Sequence, residues 1–243
     1  MSGHSKWSQI KRSKGAKDAK RGVLFSKLSK KITIAAKNGT PDPALNFQLR
    51  TEVDNARAEG MPNDNIERAI KKASDKNSAS LTEALYEGYG PFGTAFMVEV
   101  ATDNTNRAVQ TIKHTLSKHG GSLGAMGSVA WQFSDRGQIL IERTENRGQK
   151  IELSTLELVA IDAGAEDVVE TEEGLEVQTN PSTLEQVKNA LEQAGAIVAQ
   201  AHTAKLATQP VALTPEQQAE VEAIYEELED NEDVVAIYTS AQL

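Results

Sequence analysis

The 243-residue chain has no cysteine. That excludes disulfides, thiolate zinc sites and cysteine nucleophiles, and it suits a reducing, cytoplasmic setting. Aromatic residues make up only 5% of the sequence, so its cores must be built from Val, Ile, Leu and Ala. No run approaches the roughly 18 apolar residues of a membrane span, and no membrane partner is expected. The basic N-terminus has no apolar stretch behind it, which argues against a secretory signal. Basic, Ser-containing and acid-poor also describes a transit peptide, although Lys outnumbers Arg here.

Chemistry is equally sparse. The four histidines, His4, His114, His119 and His202, show no metal-ligand spacing, so no metal is expected. No Ser/His/acid grouping sits in a strand-turn context, and no general acid/base pair stands out. The Gly-rich stretch "GGSLGAMGS" (120–128) follows a helical pattern and precedes an extended one. A phosphate loop needs the reverse order, with backbone N–H groups opening a helix onto the phosphate. It therefore reads as a turn. No cofactor, small-molecule substrate or catalytic residue is implied, and an enzyme is the weaker reading.

What the chain does have is segregated charge. Its formal net charge is -9, yet residues 1–80 hold 17 Lys+Arg against 8 Asp+Glu, and residues 81–243 hold 9 against 27. Residues 1–40 alone hold eleven bases and one acid. Cations concentrated in this way displace condensed counterions from a phosphate backbone, a sequence-tolerant signal for nucleic acid. The candidate binding residues are Lys6, Lys11, Arg12, Lys14, Lys17, Lys20 and Arg21 on an arm without apolar periodicity. Lys27, Lys30 and Lys31 continue the charge on the first helix. Trp7 offers a base-stacking or anchoring face amid that charge. The alternatives are a solubilising tail, or a tail folded onto the acidic C-terminal helix.

Periodicity divides the chain into three. Leu24, Leu28, Ile32 and Ala35 recur at helical spacing and end at Asn38-Gly39, a left-handed stop. A second helix is expected with Asp42 as cap, Pro43 at its first position, and Leu45, Leu49, Val53 and Ala56 inward. "MPNDNIERAIKKA" repeats the pattern, and "SDKNSAS" (74–80) is a linker. Residues 1–80 thus form a basic arm plus a helical domain. Residues 136–205 alternate as βαββαβ, the ferredoxin-like or split-βαβ order. The βαβ at 92–135, a strand near 204–212, the helix at 214–230 and the strand at 233–240 make a second such unit. The expected fold is α+β, with 136–205 inserted into a discontinuous domain of 81–135 plus 206–243.

The inserted unit is no base-stacking sheet of the RNA-recognition kind. Residues 136–205 contain no Phe, Tyr or Trp, and residues 137–205 hold 5 bases against 13 acids. Val129, Trp131 and Phe133 share one face of an expected strand and read as core. "EGYGPFG" (87–93) reads as a hairpin loop whose Tyr89 and Phe92 are possible contact residues.

Five segments, "GHSKW" near the start, "KDAKRG" at 17–22, "YEGYGPFGTA" at 86–95, "GSLGAMGSVAWQF" at 121–133 and "AGAEDV" at 163–168, occur in the order in which they resemble the YebC/PmpR family. The resemblance spans essentially the whole chain. It implies a cytosolic, non-enzymatic protein with a helical N-terminal domain and two α/β domains, beginning without a transit peptide. Members are described as DNA-binding transcriptional regulators, and others as translation factors that bind the ribosome and relieve stalling at proline-rich stretches. It places function on the basic arm and on "EGYGPFG", and implies DNA or ribosomal RNA as partner. No recognition helix with base-reading side chains is visible.

Overall fold

The computed structural model describes residues 19–74, 81–143, 152–172 and 174–243. Three helices come first: α1 (Ala19–Lys37), α2 (Phe47–Ala58) and α3 (Asn63–Ser74). Leu28, Ile32 and Ala35 of α1 are buried against Leu49, Val53 and Ala56 of α2 and against Ile66 and Ala69 of α3. The helical spacing of these residues gives each helix one apolar stripe, and the three stripes close on one another.

The ends of these helices differ from expectation. Helix α1 stops at Lys37, but neither Asn38 nor Gly39 has a positive φ. Gly39 is needed for room, since a Cβ there would lie 2.6 Å from Nδ2 of Asn46. Asp42 does not cap α2. Its Oδ1 accepts the Ala44 N–H at 2.9 Å and closes a local turn. Asn46 is the cap: its Oδ1 accepts the Leu49 N–H at 3.1 Å, and its Nδ2 donates to the carbonyls of Ala35 and Thr40 at 2.9 Å each. A cap that also ties α2 to the end of α1 displaces one that satisfies only its own turn.

The rest of the chain adds β1 (Thr82–Tyr89), β2 (Ala95–Thr102), α4 (Thr105–Lys118), β3 (Ser122–Leu123), β4 (Phe133–Glu142), α5 (Leu153–Asp162), β5 (Ala165–Glu170), β6 (Gly174–Thr179), α6 (Leu184–Gln193), β7 (Val198–Ala207), α7 (Pro215–Glu229) and β8 (Val234–Thr239). They build two four-stranded sheets, ordered β3-β1-β2-β8 and β5-β6-β4-β7. Every ladder between these strands is antiparallel. The fold is α+β, a helical region followed by sheet domains. In the first sheet Phe96, Val98 and Val100 pack on Ile112 and Leu116 of α4 and on Val221, Ile224 and Leu228 of α7. In the second, Ile139, Ile141, Leu175 and Val177 pack on Leu156, Ala160, Val187 and Leu191 of α5 and α6. Strand β2 is buried on both faces. Its Ala95 and Met97 meet Val129, Ala204 and Tyr238, which explains why "AFMV" does not alternate.

Two expected strands are absent. Residues Ala130–Gln132 form a 3-10 turn, and a single strand runs from Phe133 to Glu142 where two were expected. The region near 204–212 does not join the first sheet. Strand β4 pairs with β7 from Phe133–Ala207 to Ile141–Val198, so that backbone is already engaged. Only the bridge between Val211 and Ala241 remains beyond it.

Strands β7 and β8 are sheet edges, and the helical domain lies against both. On β7 the cover is specific. The Asn55 side chain donates to the Ala201 carbonyl at 2.9 Å and accepts the Ala201 N–H at 3.1 Å, imitating a neighbouring strand. Lys188 reaches Asp54 at 2.7 Å, and Arg50 reaches Glu185 at 2.5 Å. An edge blocked in this way cannot recruit another chain. Asn55→Ala should leave both Ala201 backbone groups unpaired and cost about 1–3 kcal/mol. The check is chemical denaturation, and an unchanged midpoint would contradict this role for Asn55.

Candidate nucleic-acid interface

Of the basic residues marked by the sequence, Lys6, Lys11, Arg12, Lys14 and Lys17 lie outside the described residues, as does Trp7. Lys20 lies in the first turn of α1, and nothing of its side chain is described. Arg21 is exposed, with its guanidinium 5.9 Å from the centre of the Phe25 ring.

The three lysines further along α1 point into the protein instead of presenting a phosphate-binding face. Lys27 donates to the Glu229 carbonyl at the last turn of α7. Lys30 donates to the Glu232 carbonyl at 2.8 Å and to Asp233 Oδ1 at 2.7 Å. Arg107 of α4 holds the other Asp233 oxygen at 2.7 Å. The C-terminus of a helix carries unsatisfied carbonyls and partial negative charge, so cations there are favourable. Burial raises the Asp233 pKa, but Lys30 and Arg107 outweigh it and hold the carboxyl below its ordinary range. Burial also pushes Lys27 down to about 8, despite the charge of Glu229. Lys31 lines a cavity of about 730 Å³ between the helical domain and the two sheets, with Glu52, Glu99 and Tyr238. Burial raises the pKa of both carboxyls, with Lys31 opposing. Lys27 and Lys30 are therefore docking residues, a role that helical spacing alone could not separate from solvent exposure.

The hairpin "EGYGPFG" is built differently. Tyr89 and Phe92 are 43% and 41% exposed. Phe92 has φ 60° and ψ 23°, the left-handed region that suits glycine. The following Gly-rich loop crosses beside it through the pairs Gly88–Leu123 and Tyr89–Ser122. Contact is so close that a Cβ on Gly121 would lie 2.3 Å from the Tyr89 carbonyl oxygen.

One buried carboxylate organises that loop. Glu87 Oε1 accepts the Gly127 N–H at 2.6 Å, and its Oε2 accepts the N–H groups of Val129 and Ala130 at 2.7 and 2.8 Å. Burial raises the Glu87 pKa, but the three donors prevail and hold the carboxyl below its ordinary value. The loop so held presents Met126, 94% exposed, and Trp131, 74% exposed. Tyr89 Oη and Trp131 Nε1 both donate to the Ser128 carbonyl, each at 3.1 Å. Two aromatic rings are thus anchored by their polar tips to one oxygen, with much of their surface left to solvent.

Trp131 was expected in the core beside Val129 and Phe133. Only Val129 is fully buried. The period-two pattern imitated a strand, while the 3-10 turn at Ala130–Gln132 rotates the indole outward. Met126, Trp131 and Glu87 were missed as functional candidates. The available signal was an acid immediately before a Gly-rich hairpin, which can serve as a local acceptor for loop N–H groups. Among the described residues no group of three or more His, Asp or Glu side chains could hold a metal ion, and no helix is long and apolar enough to cross a membrane.

Comparison with known proteins covers nearly all of the chain. The family model for the TACO1/YebC protein N-terminal domain matches residues 5–76, and that for the TACO1/YebC second and third domain matches residues 81–241. A probable transcriptional regulatory protein of Thermoanaerobacter pseudethanolicus is 44% identical over 244 residues, covering 100% of this chain and 98% of the relative. One of Desulfosudis oleivorans is 47% identical, covering 100% and 97%. The crystal structure of a conserved hypothetical protein from Aquifex aeolicus superposes with a TM-score of 0.84 at 38% identity, covering 92% of this chain and 91% of that one.

Two measurements test these contacts. Lys27 loses its proton near pH 8 in the folded protein and near 10.5 when unfolded. The unfolded chain therefore binds more protons between those values, and stability should rise with pH across that window. Lys27→Met should remove the rise, and an identical pH profile in the variant would contradict the assignment. At the loop, Glu87→Gln puts an amide N–H₂ against backbone donors. It should cost about 1–3 kcal/mol and remove hydrogen-exchange protection at Gly127, Val129 and Ala130. Retained protection would show that the carboxylate does not hold the loop.

Proposed function

The chain belongs to the TACO1/YebC family, and from that premise we propose that it is a non-enzymatic, nucleic-acid-binding regulator of gene expression. One observation carries the reading: residues 1–40 hold eleven bases and one acid, while residues 81–243 hold 9 bases and 27 acids. The positive end attracts phosphate, and the acidic remainder as a whole repels it, so phosphate contacts concentrate toward the N-terminus. Because Lys27 and Lys30 face α7 and Asp233, the bases left to bind phosphate are those nearer the N-terminus: Lys6, Lys11, Arg12, Lys14, Lys17, Lys20 and Arg21, with Trp7 among them. The relatives are named probable transcriptional regulatory proteins, which favours a role in transcription and, with it, duplex DNA as the target. A second reading, binding to ribosomal RNA as a translation factor, is favoured by the exposed rings of Tyr89, Phe92 and Trp131, because a base-paired duplex offers no free base faces to stack on.

The test is binding of the full chain to duplex DNA and to structured RNA over a range of salt. Lys11, Arg12 and Lys14 changed together to Glu should weaken binding to either target strongly. They should also reduce the slope of log affinity against log salt by about 2 to 3, from the loss of three phosphate contacts. Because these residues show no apolar periodicity in the sequence, stability should change by less than about 0.5 kcal/mol. Unchanged affinity and slope would contradict the proposal.

A further inference from the structure

The geometry points to a second contact surface, a platform of Tyr89, Phe92, Met126 and Trp131 that stacks unpaired nucleotides of RNA. The inference rests on the nucleic-acid reading above and specifies which form of nucleic acid the body of the protein meets.

The platform contains four of the nine exposed large hydrophobic residues of the described chain. They come from two segments held together by the β1–β3 pairing, by the Glu87 carboxylate and by the shared Ser128 carbonyl. Apolar side chains gathered on an exposed surface mark an interaction site more often than scattered ones do. These rings are also preorganised: fixing their polar tips removes rotamer freedom before any ligand arrives.

Conformational strain supports the same conclusion. A left-handed backbone costs a β-carbon residue about 1–2 kcal/mol, and such strain is retained where it serves function. Glycine or asparagine would occupy position 92 at lower cost. The chain instead carries a 41% exposed phenyl ring there. The hydroxyl of Ser128, the residue whose carbonyl anchors both rings, is buried and has no hydrogen-bond partner among the described residues.

Local charge does not oppose a nucleotide on these rings. Residues 88–98 and 120–134 contain no Lys, Arg, Asp or Glu. The adjoining Glu87 is buried and its charge is met by three N–H donors. On a body with 27 acids and 9 bases, these two segments hold no carboxylate to repel phosphate. Aromatic faces stack on any unpaired base, whereas a paired duplex hides its base faces, and RNA loops are where unpaired bases are recognised in this way.

The experiment compares the full chain with Trp131→Ala and Phe92→Gly. The probes are a single-stranded RNA about 16 nucleotides long, single-stranded DNA of the same sequence, and the corresponding duplex. Each variant should lose about fivefold or more in affinity for the single-stranded RNA, with the salt slope unchanged because no phosphate contact is removed. Duplex binding should not change. Phe92→Gly relieves the strained backbone, so its unfolding midpoint should hold or rise, and its loss of binding cannot then be ascribed to misfolding. Unchanged single-stranded RNA binding in both variants, with salt-sensitive duplex binding intact, would overturn the platform and leave the nucleic-acid reading standing. Equal losses on duplex, or tighter binding to single-stranded DNA than to RNA, would also overturn it. Failure of the unmodified chain to bind any probe would overturn both.

Discussion

Helix α7 ends on carbonyl groups that the helix itself cannot satisfy, and two lysines from the other end of the chain satisfy part of that need. Lys27 reaches the Glu229 carbonyl, and Lys30 reaches the Glu232 carbonyl and Asp233. Because Arg107 grips the same Asp233, α1, α4 and the turn into β8 meet at one carboxylate. The arrangement is partly buried, and burying an ammonium group is costly unless its partners are well placed. With Asn55 on β7, this contact fixes how the helical domain lies against both sheet edges. It also sets Lys27 and Lys30, which hold the fold together, apart from the more N-terminal bases to which phosphate binding is proposed.

The aromatic platform follows a parallel rule. A buried acid is stable when donors surround it, and Glu87 gathers three backbone N–H groups from a loop rich in glycine. That fixes the loop without any large side chain at its base. The large side chains can therefore point outward, and Met126 and Trp131 do. The two contacts proposed, phosphate attraction at the N-terminus and base stacking on a charge-free surface, would complement each other. The first is long-ranged and indifferent to sequence, and the second acts only at contact.

Much of the fold was legible in the sequence because its signals are local and periodic. Helical spacing placed Leu28, Ile32, Leu49, Val53 and Ile66 in one core, and the βαββαβ order anticipated the second sheet. What failed depended on distant partners. Asn46 replaced Asp42 as a cap because it also reaches Ala35. Residues 204–207 joined β4 because a ten-residue strand was available to pair with them. Trp131 was misplaced because Val129, Trp131 and Phe133 alternate as a strand does, while the turn that breaks the alternation is held by Glu87, forty-two residues upstream of Val129. The roles of Lys27 and Lys30 were illegible for a similar reason, since their partners lie 202 and 203 residues away.

The central claim is that the protein meets its nucleic acid at two places, one chosen by charge and one by exposed rings. Ultraviolet crosslinking of the full chain to RNA in cells, followed by identification of the modified peptides, tests it most directly. The account predicts nucleotides attached within residues 86–95 and 121–133, at Tyr89, Phe92 or Trp131, together with attachment near the N-terminus around Trp7. Crosslinks confined to other parts of the two sheets, or recovery of duplex DNA without RNA, would contradict it.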